Sequence, residues 1–327
     1  IPTMDDVRIR RKAVERSIPC LTSLDTANAV ADSLRSRYSV HSTELVNLNR
    51  LRRGRRRHPF AKMEGCGNDY IYIDCFGSEP TDEDKSKISL KLSDRHFGVG
   101  GDGVVFICRS GVADGNMRMF NADGSEGVTC GNGVRCAAKF AYEKMGITVN
   151  LYEKRGVKKD VIAIETQSGV KTLKLIVENG LVTAARVDMG KPILKPELIP
   201  AKFPGDKAIG VKAALDRERV VTAVSMGNPH CVIFTSGVEK MDIETPGRII
   251  ENHEVFPDRV NVEFAEVLSR HRVRMRVWER GSGETLACGT GACATVVAMV
   301  ENGLADRDSD VKVELIGGTL TINYDET

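Results

Sequence analysis

From residue 60 onward, short apolar runs are separated by glycine, asparagine and proline, a pattern typical of strands joined by turns. The runs show the two-residue alternation, or the β-branched and aromatic content, that strands favour. Residues 161–187 hold three such runs in succession and predict a β-meander. Further strands are predicted at residues 70–74, 104–107, 117–121, 219–224, 231–234, 260–267, 273–279, 311–315 and 319–324.

Helical segments are few, and they are predicted at about residues 83–92, 131–145 and 289–302. In the last of them, small and apolar side chains leave little polar surface, so we expect a core helix wrapped by strands. The Pro-rich stretch 191–204 is predicted to cross between two halves of the molecule. These elements predict an α+β fold.

One sequence pattern occurs twice along the chain. It consists of an alternating strand-like run, a polar glycine-rich turn, and a Cys-Gly-x-Gly at the start of a helical segment. An offset of 158 residues relates the two copies without a gap, mapping Met117, Arg118, Glu126, Cys130, Gly131 and Gly133 onto Met275, Arg276, Glu284, Cys288, Gly289 and Gly291. A Gly-Asn turn before an apolar strand also recurs, at Asn68 and Asn228, with an offset of 160. Two matches at nearly one offset indicate tandem duplication.

The duplication predicts two pseudo-symmetric domains, each a mostly antiparallel sheet wrapped around a central helix, with a site at the seam between them. We place the first half at residues 60–185, with Cys130, and the second at 186–316, with Cys288. Residues 1–59 precede both halves. They carry 13 of the 47 Lys and Arg residues but 6 of the 45 Asp and Glu residues, so they form a basic extension. We expect this extension to be poorly ordered or foreign to the functional protein.

The two duplicated cysteines, Cys130 and Cys288, each stand at the start of a predicted helix. A helix N-terminus carries unpaired amides and about half a positive charge, which favour a thiolate and lower the pKa of a thiol. Two such thiols on opposite sides of one carbon form an acid–base pair: one thiolate removes a proton and the opposite thiol delivers one. This arrangement inverts a stereocentre without a cofactor. The alternative for any cysteine is a small buried hydrophobe, and we favour it for the cysteines within apolar runs.

Composition narrows the class of protein further. Without residues 1–59 the chain is mildly acidic and lacks a basic patch with interleaved aromatics, so we expect no nucleic-acid partner. No run approaches the ~18 apolar residues of a membrane span.

Neither Cys130 with Cys136 nor Cys288 with Cys293 has the spacing of a zinc site, so we expect no metal. The glycine-rich turn 95–103 opens a strand rather than a helix, which argues against dinucleotide binding.

Five motifs together resemble the diaminopimelate epimerase family. They are Gly-Cys-Gly-Asn-Asp-Tyr at 65–70, Asn-Ala-Asp-Gly-Ser-Glu to Cys-Gly-Asn-Gly-Val-Arg-Cys at 121–136, Met-Gly-Asn-Pro-His-Cys at 226–231, Arg-Val-Asn-Val-Glu-Phe at 259–264 and Trp-Glu-Arg-Gly-Ser-Gly-Glu-Thr-Leu-Ala-Cys-Gly-Thr-Gly at 278–291. The resemblance implies a cofactor-independent epimerase that interconverts LL- and meso-2,6-diaminopimelate in lysine biosynthesis. It also implies that the last strand, at about 317–327, returns to the first domain.

The resemblance assigns roles to the matching residues. Cys130 and Cys288 are the acid–base thiols, and the amides of Gly131, Asn132, Gly289 and Thr290 hold the reacting carboxylate. Asn68 and Glu279 are placed for the reacting ammonium. The distal end of the substrate is assigned to Asn121, Asn228, Asn261 and Arg280, with Arg280 pairing with its carboxylate. His230 and Glu279 are candidates to tune the thiols.

Two alternatives remain at this stage. A racemase of the proline racemase type would have His where Asn132 stands and would need no distal Arg. A redox or binding protein would use the two cysteines as a disulfide across the cleft, with no α-proton exchange. For the epimerase we expect a small-molecule substrate, no cofactor, no membrane partner and a homodimer as one possible assembly. We expect a cytoplasmic location, or a plastid if the source is a plant or alga.

Overall fold

The computed structural model describes residues 60–127, 131–145 and 160–325. The first half contains β1 (Phe60–Gly65), β2 (Asn68–Asp74), α1 (Asp82–Ser93), β3 (Gly103–Cys108), β4 (Gly115–Asn121), β5 (Glu126–Gly127), α2 (Gly131–Glu143), β6 (Val161–Thr166), β7 (Gly169–Glu178) and β8 (Leu181–Val187). The rest contains β9 (Val211–Ala214), β10 (Glu218–Ser225), β11 (Pro229–Phe234), α3 (Glu244–Glu251), β12 (Asn261–Ser269), β13 (Arg272–Glu279), β14 (Gly283–Thr285), α4 (Gly289–Glu301), β15 (Asp310–Leu315) and β16 (Gly318–Asn323). Short 3₁₀-helices lie at Pro196–Leu198 and Val238–Lys240.

The strands form two eight-stranded sheets that share one pairing scheme. The first has the order β1-β2-β3-β4-β6-β7-β8, and the second contains β10-β11-β12-β13-β15-β16 with β9 beyond β10. Along both series the pairs alternate antiparallel, parallel, antiparallel, parallel, antiparallel. In each sheet a short strand, β5 or β14, adds to the middle of the series. The predicted α+β fold of two pseudo-symmetric, mostly antiparallel halves is confirmed.

A helix packs against one face of each sheet and fills its core. The apolar side of α2 packs with residues of the first sheet in one buried cluster, and α4 does the same in the second. Residues 291–299 of α4 are buried without interruption. The prediction of a core helix wrapped by strands is therefore confirmed for α4, and both duplicated motifs lead into such a helix.

The helix α3 is absent from the sequence-based prediction. It connects β11 to β12, which are parallel and therefore need a crossover, as α1 connects the parallel strands β2 and β3. Pro246 and Gly247 lie inside it, and because both residue types are poor helix formers, the sequence does not predict a helix there. A Cβ on Gly247 would lie 2.6 Å from Cγ of Trp278, so this position must stay small for the helix to pack on β13.

Some expectations need correction or fall outside the described residues. The last strand, β16, pairs with β15 in the second sheet, instead of returning to the first half as the resemblance implied. Residues 1–59 and Cys130 lie outside the described residues. The seven cysteines of the described part are free thiols, and no helix there is long and apolar enough to cross a membrane. The limits of the two halves, near residues 185 and 316, stay a prediction.

Candidate active site

The first turns of α2 and α4 meet where the two halves adjoin. Neither Gly131 nor Gly289 has a side chain, and a Cβ on Gly289 would lie 3.8 Å from Cα of Gly131 and 3.7 Å from Oδ1 of Asn132. The amides at both helix N-termini, which have no acceptor within their own helix, are thus gathered at one place. The structure brings together the two Gly-x-Gly segments that the sequence places 158 residues apart.

Cys288 is the N-cap residue of α4, and its side chain is only 6% exposed. Its Sγ accepts a hydrogen bond from the amide of Gly291 at 3.3 Å, and it lies 3.4 Å from Oγ1 of Thr290. The thiol is therefore in the position that Ser or Asp takes at other helix starts. Cys130, its counterpart by the repeat, is outside the described residues.

The surroundings of Cys288 raise the pKa of its thiol well above the ordinary value. Burial is the largest cause, and the carboxylates of Glu279 and Glu263 raise it further. The hydrogen bonds from Thr290 and Gly291 act in the opposite direction but are outweighed. The amide at the helix N-terminus therefore lowers the pKa of Cys288 as expected, but burial and the two carboxyl groups raise it more, and the net effect favours the neutral thiol.

Of the two residues predicted to tune the thiols, Glu279 is the one whose charge raises the pKa of Cys288. Its Oε1 accepts a hydrogen bond from Oγ1 of Thr285 at 2.5 Å, and its carboxyl group is close enough to the Cys288 thiol for each group to shift the pKa of the other. Burial raises the pKa of Glu279, the bond from Thr285 lowers it, and the charge of Glu263 raises it again. The carboxyl group therefore accepts a proton more readily than an exposed glutamate does.

His230 lies in a fully buried pair with Glu263. Its Nδ1 is 2.6 Å from Oε1 of Glu263, both side chains are 0% exposed, and its Nε2 is 3.0 Å from Oδ1 of Asn228. The same Oε1 would lie 2.7 Å from a Cβ on Gly291, so Glu263 packs under the first turn of α4. Within the described residues, Oε2 of Glu263 is a buried atom without a hydrogen-bond partner.

Glu263 was not singled out from the sequence. The available signal was a lone acidic residue in an apolar strand, two positions after Asn261 and therefore on the same face of that strand. Burying a carboxyl group of which one oxygen, Oε2, has no hydrogen-bond partner is costly, so its presence in the core indicates a role for it.

Asn132 links the two halves. Its side chain is 1% exposed, and its Nδ2 donates to Oδ1 of Asn68 at 2.7 Å and to the carbonyl oxygen of Ala287 at 3.4 Å. Asn68 in turn donates to Oδ2 of Asp102 at 3.4 Å. Arg95 donates to both Asp102 and Asp69, and its bonds, with help from Lys62, lower the pKa of Asp69 to about 2. Asp102 has no role assigned from the sequence, and in the structure it helps to orient Asn68.

Asn261 connects the turn of Asn228 with the turn of Arg280. Its Nδ2 donates to the carbonyl oxygen of Pro229 at 2.9 Å, and its Oδ1 accepts from the amide of Arg280 at 2.9 Å. The guanidinium of Arg280 is exposed and donates through Nη1 to the carbonyl oxygen of Asp258 at 2.8 Å. Three of the residues predicted for the distal end of a substrate are thus adjacent.

Asn121, the fourth of these residues, is in the first sheet at the end of β4. Its Nδ2 donates to Oγ of Ser125 at 3.0 Å, and its amide donates to the carbonyl oxygen of the same residue at 2.8 Å. It belongs to the turn that precedes the first Cys-Gly-x-Gly. Across the described ranges, no group of three or more His, Cys, Asp or Glu is arranged to hold a metal ion.

Comparison with known proteins gives consistent matches over the part of the chain that contains these residues. The family model for diaminopimelate epimerase matches residues 60–195 and 222–327. The diaminopimelate epimerase of Desulfovibrio desulfuricans is 50% identical over 277 residues, which cover 82% of this chain and 91% of that protein. The diaminopimelate epimerase of Acetivibrio thermocellus is 49% identical over 270 residues, with the same coverage.

Among solved structures, the fold is similar to that of a probable proline racemase from Agrobacterium radiobacter with bound carbonate. The TM-score is 0.55 at 13% sequence identity, over 81% of this chain and 83% of the other. At this identity the likeness concerns the fold alone.

Proposed function

Because the chain belongs to the diaminopimelate epimerase family, we propose that it interconverts LL- and meso-2,6-diaminopimelate by proton transfer at Cα. The observation that carries the proposal is the meeting of two helix N-termini at Gly131 and Gly289, each preceded by a cysteine. The enzyme is then an isomerase of lysine biosynthesis. The cytoplasmic location and the homodimer stay predictions.

The reaction requires one base and one acid on opposite faces of the substrate carbon. In one direction the Cys130 thiolate removes the α-proton, and the Cys288 thiol gives its proton to the other face. The neutral state of Cys288, which burial and two carboxylates favour, supports this starting state. After turnover the protonation states of the two thiols are exchanged, and the same pair can then run the reverse reaction.

Removal of the α-proton places negative charge on the substrate carboxylate. We assign the backbone amides of Gly131 and Asn132 in α2, and of Gly289 and Thr290 in α4, to this charge. Each well-placed donor of this kind contributes about 3 kcal/mol to the stability of a transition state. Burial of the site strengthens the effect, because a low local dielectric reduces screening.

The substrate ammonium at the reacting end is assigned to Asn68 and Glu279. Asn68 is held in place by Asn132 and Asp102, and Glu279 by Thr285. The distal amino-acid end is assigned to Asn121, Asn228, Asn261 and Arg280. A guanidinium can pair with a carboxylate through two parallel hydrogen bonds, which suits the distal carboxylate of diaminopimelate.

The test is solvent deuterium incorporation at Cα of diaminopimelate, followed by mass spectrometry and by separation of the stereoisomers. We expect the unaltered protein to exchange the α-proton, and Cys130→Ala and Cys288→Ala each to lose epimerisation while staying folded. Cys293→Ala is the matched control, since it removes another buried thiol from the same helix as Cys288. Full epimerisation by either active-site variant, or exchange of proline in place of diaminopimelate, would contradict the proposal.

A further inference from the structure

Glu251, the last residue of α3, is a buried carboxylate with three separate donors. Only 4% of the surface of Glu251 is exposed. It accepts a hydrogen bond from Nε1 of Trp278 at 2.7 Å, another from the amide of Gly281 at 2.8 Å, and an ion-paired one from the guanidinium of Arg259. Such a carboxylate is too well satisfied to be an incidental surface charge.

Two of these donors stand on either side of the site residues Glu279 and Arg280. Trp278 precedes the pair and Gly281 follows it, so one carboxylate fixes both ends of this short segment. Glu279 has further restraints, because it accepts from Thr285 and pairs with Gly283 across the hairpin. Arg280 has a single bond at its amide, to Asn261, so Glu251 and Asn261 together fix its backbone.

The third donor, Arg259, is next in sequence to the residue that holds the Arg280 side chain. The Arg280 guanidinium donates to the carbonyl oxygen of Asp258, and Asp258 is followed directly by Arg259. Arg259 has a left-handed backbone with φ of 62°, a conformation that surrounding contacts must maintain in a residue with a side chain. Its ion pair with the buried Glu251 is such a contact.

We propose that Glu251 is a positioning residue that sets the place and direction of the Arg280 guanidinium, and thereby the affinity for the distal carboxylate of the substrate. It contacts no reacting atom and acts only through the segment 278–281 and through Arg259. The inference rests on the proposed function, in which Arg280 binds that carboxylate.

The charge state of Glu251 supports this role. Burial raises the pKa of the carboxyl group, but the bonds from Trp278 and Gly281 and the charge of Arg259 outweigh it and lower the pKa overall. Glu251 is thus an ionised acceptor at neutral pH, and its bonds to these donors are charge-assisted.

The experiment compares the full chain with Glu251→Gln, which keeps the shape but replaces one acceptor oxygen by a donor. Loss of one partner of a buried hydrogen bond costs enough to change an affinity by roughly tenfold. We expect KM for diaminopimelate to rise by about this factor while kcat changes less than about threefold. The reason is that the distal carboxylate is bound equally in the ground state and in the transition state. Glu143→Gln is the matched control: Glu143 also ends a helix and accepts from a backbone amide, that of Val182, and from Lys139.

A second measurement reports the geometry without turnover. Trp278 is the sole tryptophan of the chain, so its fluorescence emission reports the bond to Glu251. We expect Glu251→Gln to shift this emission and to speed hydrogen exchange at the Gly281 amide, and Glu143→Gln to change neither. If Glu251→Gln does not fold, Trp278→Phe, which removes one of the three donors, should raise KM by a smaller factor.

A KM within twofold of the unaltered protein in folded Glu251→Gln would overturn the inference, since a purely stabilising residue changes the unfolding midpoint and not KM. A fall in kcat with unchanged KM would overturn it as well. If the unaltered protein does not act on diaminopimelate, the proposed function fails instead. The emission and exchange measurements then still show whether Glu251 holds the segment 278–281.

Discussion

At the scale of single residues, Cys288 shows that burial can outweigh a helix N-terminus. An N-terminal dipole stabilises a nearby negative charge by about 0.3–1 kcal/mol when exposed and up to about 2 kcal/mol when partly buried. Removing a thiolate from water next to Glu279 and Glu263 costs more, so the pKa of Cys288 is raised. Because this pKa is raised in the folded state, its contribution to stability is fully present at pH values below the ordinary pKa of a thiol. The contribution is lost as the pH rises through the raised value.

Replacing Glu279 by Gln should lower the pKa of Cys288, because a negative charge beside the thiolate is removed. Below that pKa, the rate of alkylation of Cys288 by iodoacetamide should increase, and its pH profile should move to lower pH. Peptide mass spectrometry over a pH series measures the rate at this one cysteine. Glu284→Gln, which alters an exposed partner of Arg276, serves as the control. A profile that stays in place or moves to higher pH would show that Glu279 does not act on Cys288.

At the scale of elements, the sequence predicted what local pattern determines and missed what packing determines. The helices at 82–93, 131–143 and 289–301 and the strands around them follow from periodicity and turn residues. The helix α3 does not, since its Pro246 and Gly247 are poor helix formers and its place depends on Trp278. The motifs likewise gave the candidate residues, whereas Glu251, Glu263 and Asp102 became visible only through contacts between elements distant in sequence.

Gly247→Ala should destabilise the protein by about 1–3 kcal/mol, the usual cost of inserting a methyl group into a packed contact. The added Cβ would lie 2.6 Å from the Trp278 ring, so α3 and β13 must separate, although alanine is the better helix former. Urea unfolding measures the change. Gly77→Ala, at a position with no atom within 4 Å of the new Cβ, is the control. Equal stability of the two variants would mean that the contact between α3 and Trp278 has room for a methyl group.

At the scale of the whole molecule, the two halves fit together through close contacts that leave no room for side chains. The turn between β1 and β2 inserts against the second half, where Gly67 meets Leu286 and Gly317 meets the backbone of Cys66. Asn132 adds a polar link across the same boundary through Ala287. The repeat predicted that two similar halves meet at their cysteine motifs. It did not predict this second contact, because the turn and the hairpin that form it are not related by the repeat.

Gly317→Ala should therefore force the halves apart. Its Cβ would lie 2.0 Å from the carbonyl oxygen of Cys66, which as backbone cannot move without displacing Asn68. We expect a loss of stability of about 2 kcal/mol or more, together with reduced epimerisation by the folded variant. Unfolding in urea and the deuterium assay measure the two effects. Gly111→Ala, which meets no atom within 4 Å, should leave both unchanged, and normal activity in Gly317→Ala would show that the halves tolerate displacement.

The meeting of α2 and α4 at Gly131 and Gly289 also has an electrostatic consequence for the protein without its ligand. Each helix N-terminus carries about half a positive charge, and two like charges at one boundary repel each other. This repulsion acts between the halves of the molecule and opposes their association. In the proposed reaction the substrate carboxylate lies between the two helices, and there it would attract both N-termini and act as a counter-ion that draws the halves together.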